Sequence, residues 1–239
     1  AMRYVMALQN KSTAGAANLA SCTLEDLDLG IPSETGEGGT GGEPGDPGAN
    51  GPYYVSPIGS NDFPGTSEAN AWRTLSFALA NATLSVTQDE NIIYLMPGNH
   101  GNLSVTSKTW SSTDWDSRWR IIAQDGAKIE TVTIQGVQSA YLEWSGLDIE
   151  RTSPHSPTSG LFFIRNSSHV RLYDSALAGW WEETYLTGYG VAVRTASAET
   201  ASNIDVNNVT IDRVDRGVYV YGSGAQSGIE FANIVVTNW

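Results

Sequence analysis

From residue 131 onward, apolar and polar positions alternate in short runs, and the runs recur in one arrangement. Apolar residues fall at i, i+2, i+5 and i+7: first Leu142, Trp144, Leu147 and Ile149, then Ile204, Val206, Val209 and Ile211, then Ile229, Phe231, Ile234 and Val236. A weaker copy, Val170, Leu172, Ser175 and Leu177, has serine at the third position. Side chains alternate across a strand with period two. A spacing of 2, 3, 2 therefore predicts two strands with agreeing inward faces, joined by a two-residue turn. The second turn residue is Gly146, Asp174, Asn208 or Asn233, all types that tolerate a left-handed backbone. A third strand precedes each pair: "TVTIQ" at 131–135, "LFFIR" at 161–165, "VAVR" at 191–194 and "VYVY" at 218–221. The paired strands start at 142, 170, 204 and 229, so they are 28, 34 and 25 residues apart. Three short strands per repeat at an irregular period predict a solenoid of parallel sheets, each turn burying its inward residues against its neighbours.

Ahead of these repeats, "YYVSPIGSNDFPGT" reads as a strand and a turn region. Trp72, Leu75 and Leu79 then recur at helix spacing, and "NIIYLMPG" is a strand closed by Pro97-Gly98. Residues 33–52 hold eight Gly and three Pro, a composition that buries no core and reads as a linker. The expected division is a detached rung at 1–32, the linker at 33–52 and the solenoid domain at 53–239.

The detached rung rests on "CTLEDLDL" at 22–29, where Cys22, Leu24, Leu27 and Leu29 fit the same inward template. Upstream, "RYVMALQN" alternates like the third strand and ends in polar Gln9. A lone rung has no neighbour to bury it. Placed after the copy at 229, residues 22–29 continue the repeat at a period of 32. Three arrangements follow: stacking under Ile229, Phe231, Ile234 and Val236 of another copy, one repeat of a tandem array, or a segment that folds back onto the same domain or ends a separate one.

The residues "YYVSPIGSNDFPGT…AWRTLSFAL…IIYLMPG", followed by such rungs over about 53–239, resemble the right-handed parallel β-helix proteins of the pectate-lyase-like superfamily. The resemblance implies an all-β, right-handed parallel β-helix solenoid with an N-terminal capping helix. It also implies a groove along the strand that follows the longest loops. Many members cleave acidic polysaccharides by β-elimination, and others are tailspikes or adhesins.

Composition narrows the partners. Asp and Glu number 26 against 13 Lys and Arg, for a net charge of −13, which disfavours nucleic acid because phosphate binding needs clustered cations. Seven of those acids lie within 25–46, so part of the imbalance belongs to the tail and linker. No run approaches the ~18 apolar residues of a membrane helix. The single Cys22 makes no intrachain disulfide.

Two outward columns carry charge. Glu143, Arg171, Asp205 and Glu230 alternate in sign and predict a surface salt-bridge ladder. At the end of the third strand the column is Gln135, Arg165, Arg194 and Tyr221. Two arginines on adjacent rungs repel unless something anionic sits by them. Beside them enter the loops at 151–159 and 179–189, with Trp180, Trp181 and Tyr185 available to stack on sugar rings. A lyase needs a cation, a base and an acid, for which Arg165, Arg194, His155 and Tyr221 are candidates. The structural alternative pairs the arginines with Glu182 and Glu183 and packs the tryptophans on the sheet. The leading expectation is an extracellular or cell-surface structural protein that assembles with other copies of itself head-to-tail. The alternative is a polysaccharide lyase or a binder of acidic polysaccharide. No cofactor or metal site is read from the sequence; Ca²⁺ enters only with the lyase.

Overall fold

A computed structural model describes residues 52–83, 91–106, 114–137, 141–153, 160–180 and 188–238, and the backbone of 181–182 and 185–186. The detached rung and nearly all of the linker lie outside these residues, as does His155. The first elements are β1 (Tyr53–Val55), α1 (Leu75–Asn81), β2 (Ile92–Leu95), β3 (Gly98–Thr106), β4 (Trp119–Ala123) and β5 (Ala127–Gln135). Then come β6 (Leu142–Ser145), β7 (Asp148–Glu150), β8 (Gly160–Arg165), β9 (Val170–Ala178), β10 (Trp181–Glu182) and β11 (Tyr185–Leu186). The last are β12 (Tyr189–Thr195), β13 (Thr200–Asp212), β14 (Arg216–Gly222) and β15 (Ala225–Thr237).

These strands build a parallel β-solenoid with one α-helix among the described residues. The first stack runs β1, β2, β4, β6 and then the leading halves of β9, β13 and β15. The second joins the starts of β3 and β5 to β7 and to the trailing halves of β9, β13 and β15. The third joins the ends of β3 and β5 to β8, β12 and β14. Every pairing in the three stacks is parallel; the small β10–β11 pair is antiparallel.

The 2, 3, 2 template is the register of the fold. Leu142, Val170, Ile204 and Ile229 are successive partners, as are Trp144, Leu172, Val206 and Phe231. Ile149, Leu177, Ile211 and Val236 form a further column. Trp119, Trp144 and Phe162 are fully buried among them. The turn residues take the expected backbone, with φ of 69° at Gly146, 48° at Asp174, 54° at Asn208 and 51° at Asn233. Gly146 is also sterically required, because a Cβ there would lie 2.8 Å from the Ala123 carbonyl oxygen.

The exception at Ser175 has a cause. Its Oγ accepts the Leu147 N–H at 3.1 Å and donates to the Tyr173 carbonyl at 2.7 Å. The serine thus satisfies a buried turn amide that an aliphatic residue would leave bare.

Near the start of the domain the structure corrects one expectation. Trp72 is not part of the helix. Its N–H donates to the Tyr54 carbonyl and its own carbonyl accepts the Ser56 N–H, so its backbone belongs to a bridge with β1. The indole stacks on Tyr53 at 5.1 Å. The helix begins two residues later, where the Thr74 side chain accepts the Phe77 N–H as an N-cap. Leu75, Ala78 and Leu79 then face the core.

Candidate functional site

The outward face of the third stack gathers the site. Gln135, Arg165, Arg194 and Tyr221 are successive register partners, so the two arginines stand on adjacent strands with Tyr221 next in line. Strand spacing sets such neighbours about 4.8 Å apart at the backbone. Neither arginine forms an ion pair with another described residue, and the Arg165 Nε is buried without a hydrogen-bond partner among them. Two cations held side by side, with no ion pair among the described residues, make an anion-attracting strip.

Three tyrosines flank the strip. Tyr219 and Tyr221 point to the same side of β14 and stack with centroids 4.6 Å apart. Tyr189 lies 4.6 Å from Tyr219. The Arg216 guanidinium sits 4.5 Å from the centre of the Tyr219 ring, and that of Arg194 lies 5.7 Å from Tyr221, both within cation–π range. Burial pushes the Tyr221 hydroxyl above its ordinary value, while the Arg194 charge and hydrogen bond pull it partly back. At neutral pH the hydroxyl keeps its proton and is a donor, not a ready base.

Sequence reasoning missed Tyr189 and Arg216, because strict alternation would turn both inward. The neighbouring glycines explain the difference. A Cβ on Gly190 would come 2.4 Å from Ile211 Cγ2, and one on Gly217 would come 2.4 Å from Val236 Cγ2. These glycines take the inward place, so Tyr189 and Arg216 are swung to the outer face. The signal is the shared run "YGVAVR" and "RGVYVY", in which a glycine precedes the alternating strand in both copies.

The loop candidates are only partly described. Trp180 is half-buried, and its Nε1 has no partner among the described residues. The backbone at Trp181 and Glu182 pairs with Leu186 and Tyr185, which makes a short antiparallel hairpin. The side chains of Trp181, Glu182 and Tyr185, and the whole of Glu183 and His155, lie outside the described residues. Of the four catalytic candidates, the fold therefore brings Arg165, Arg194 and Tyr221 together.

The predicted ladder on the first stack is a clamp. Glu143 accepts from Arg118 at 2.6 Å, stands 3.4 Å from Arg120 and lies 4.0 Å from Arg171. Arg171 also covers the Trp115 ring at 3.6 Å. Below it the alternation stops carrying ion pairs, and Asp205 instead accepts the Tyr173 hydroxyl at 2.5 Å. Here three arginines converge on one carboxylate, whereas among the described residues no carboxylate pairs with Arg165 or Arg194 of the third stack.

A concavity of about 300 Å³ opens between the start of α1 and β3, beside Arg73, Ser76 and His100. His100 Nε2 donates to the Met96 carbonyl at 2.7 Å, and burial lowers its pKa, so the ring is neutral and already engaged. Among the described residues, no group of three or more His, Cys, Asp or Glu side chains is placed to hold a metal ion. No helix there is long and apolar enough to cross a membrane. Comparison with family models, with curated proteins and with solved structures finds no match for this chain, so the residues and the fold alone carry its functional reading.

Proposed function

We propose that the chain is a binder of acidic polysaccharide and that the outward face of the third stack is its binding face. The observation that carries this is the pair Arg165 and Arg194, in register on adjacent strands and bearing no ion pair with any other described residue. A polyuronate or sulfated glycan offers anionic groups along an extended chain and apolar ring faces between them. Guanidinium groups recognise the first and tyrosine rings the second. Tyr219 and Tyr221 present such rings beside the cations. The protonated Tyr221 hydroxyl fits ligand binding better than proton abstraction. This reading takes the solenoid as right-handed, with α1 capping its first turn, as in the pectate-lyase-like superfamily that the opening residues resemble. It places the protein outside the cell or on its surface, where such polymers occur.

Titration calorimetry with polygalacturonate, alginate and a sulfated glycosaminoglycan tests it. Binding should weaken as salt rises. Arg194→Ala should weaken it by about tenfold, the loss of one charge-assisted contact, and Tyr221→Ala should weaken it while a neutral glucan stays unbound. No binding to any of the three at low salt would remove the reading. Appearance of an unsaturated product with any of them would turn the binder into a lyase.

A further inference from the structure

Helix α1 packs against β3, where the Ser76 Oγ donates to the Ser104 carbonyl at 3.3 Å. Between the two opens the concavity of about 300 Å³, with the buried Leu75 and Leu103 in its lining. That volume equals about ten waters at ~30 Å³ each, close to the size of one sugar ring with its substituents. His100 owes its place there to a bulge. Lys128 and Ile129 are consecutive on β5, but their partners on β3 are Asn99 and Gly101. His100 is the extra residue between them, and a bulge re-aims the side chain it carries.

The polar groups of the lining are used unevenly. The Asn99 Oδ1 accepts the Gly101 N–H at 2.8 Å, and the Asn102 Oδ1 accepts the Thr131 hydroxyl at 2.7 Å. Both amide oxygens are thus engaged inside the protein, while neither Nδ2 has a partner among the described residues. Arg73 forms no ion pair with a described residue, and no acid lines the concavity. His100 is the reverse case. Its Nε2–H goes to the Met96 carbonyl, which leaves Nδ1 as an acceptor. Besides hydroxyls, which can donate or accept, the lining therefore keeps a cation, two amide donors and a ring acceptor beside apolar carbon.

We propose that this concavity binds a single acidic sugar. Its carboxylate takes the Arg73 guanidinium and the amide donors, where no protein acid competes. A ring hydroxyl donates to His100 Nδ1, and the C–H face of the ring lies against Leu75 and Leu103. A neutral sugar would leave the guanidinium unused. A bare carboxylate would leave the acceptor and the apolar surface unused.

Two sources offer this chemistry, a free sugar acid and the end of a glycan chain. Ser104 is in register with Thr133 and Thr133 with Phe163, two residues before Arg165 on β8. The concavity thus lies at the head of the face that carries the arginine strip, two strand steps or about 10 Å from β8. The chain-end source rests on the binding function proposed above; the site itself does not.

The test titrates the full chain with galacturonate, glucuronate, glucose and acetate, and follows the assigned His100 ring resonances by NMR. A sugar acid should shift them saturably, with glucose and acetate weaker by about tenfold or more. Arg73→Gln should weaken the sugar acid by about tenfold, the loss of one charge-assisted contact. Asn102→Asp keeps the shape and the Thr131 bond but replaces a donor by a charged acceptor, and it should abolish the shift. Both positions are exposed, so the melting of the solenoid should not change. Tetragalacturonate that binds more tightly than galacturonate assigns the chain end; affinity no greater assigns the free sugar. No shift with either sugar acid overturns the proposal. So does an equal response to glucose or acetate, or unimpaired binding in either variant. The readout is His100 and not polymer affinity, so this proposal and the arginine strip stand or fall separately.

Discussion

At the scale of single residues, the fold depends on a few positions where backbone and side chain agree. Asn208 is one. Its φ of 54° is a conformation that most side chains resist, and its Nδ2 donates to Asp174 Oδ1 at 2.6 Å. Asn208→Gly keeps the conformation and loses the bond; Asn208→Val loses both. Denaturant unfolding should show the valine variant less stable than the glycine variant by about 1–2 kcal/mol, the cost of the left-handed backbone. Tyr173 is another. Burial and its hydrogen bond to Asp205 push its hydroxyl up to about 12, from an unfolded value of 10.0. Below pH 10 both states hold the proton and the contribution is complete. Between pH 10 and 12 the unfolded chain loses the proton first, so the folded state is progressively disfavoured. Stability should therefore fall across that window, and Tyr173→Phe should flatten the fall in alkaline denaturation curves.

Elements are set by what stacks on them. The columns headed by Leu142 and Trp144 are legible in the sequence because alternation and the left-handed turn residues repeat together in every copy. Trp72 was misread because a stray apolar spacing matched a helix, whereas its backbone was already committed to β1. The arginine strip was legible as a column, but Tyr189 and Arg216 depended on two glycines whose neighbours come from other strands. Glu143 was legible in its column, but its partner Arg118 was not, because it precedes β4, ahead of the repeats that begin at 131. Ser175 shows the same limit from the other side, since it spoils the apolar template in order to satisfy Leu147. Ser175→Val restores the pattern and strands that amide. Thermal or urea unfolding should register a loss of about 1–3 kcal/mol, the cost of an unmet buried donor, even though the new side chain is more apolar.

For the molecule as a whole, the third stack carries cations and rings across its strands. The same geometry has a bearing on how the chain is made. Each strand of β6, β9, β13 and β15 is laid against the one made some 23 to 34 residues before it. A ribosome delivering about 5–20 residues per second releases one turn every few seconds, longer than a loop of that length needs to close. The solenoid can therefore grow from β1 as it is synthesised, with every turn serving in its moment as the unsheltered rim.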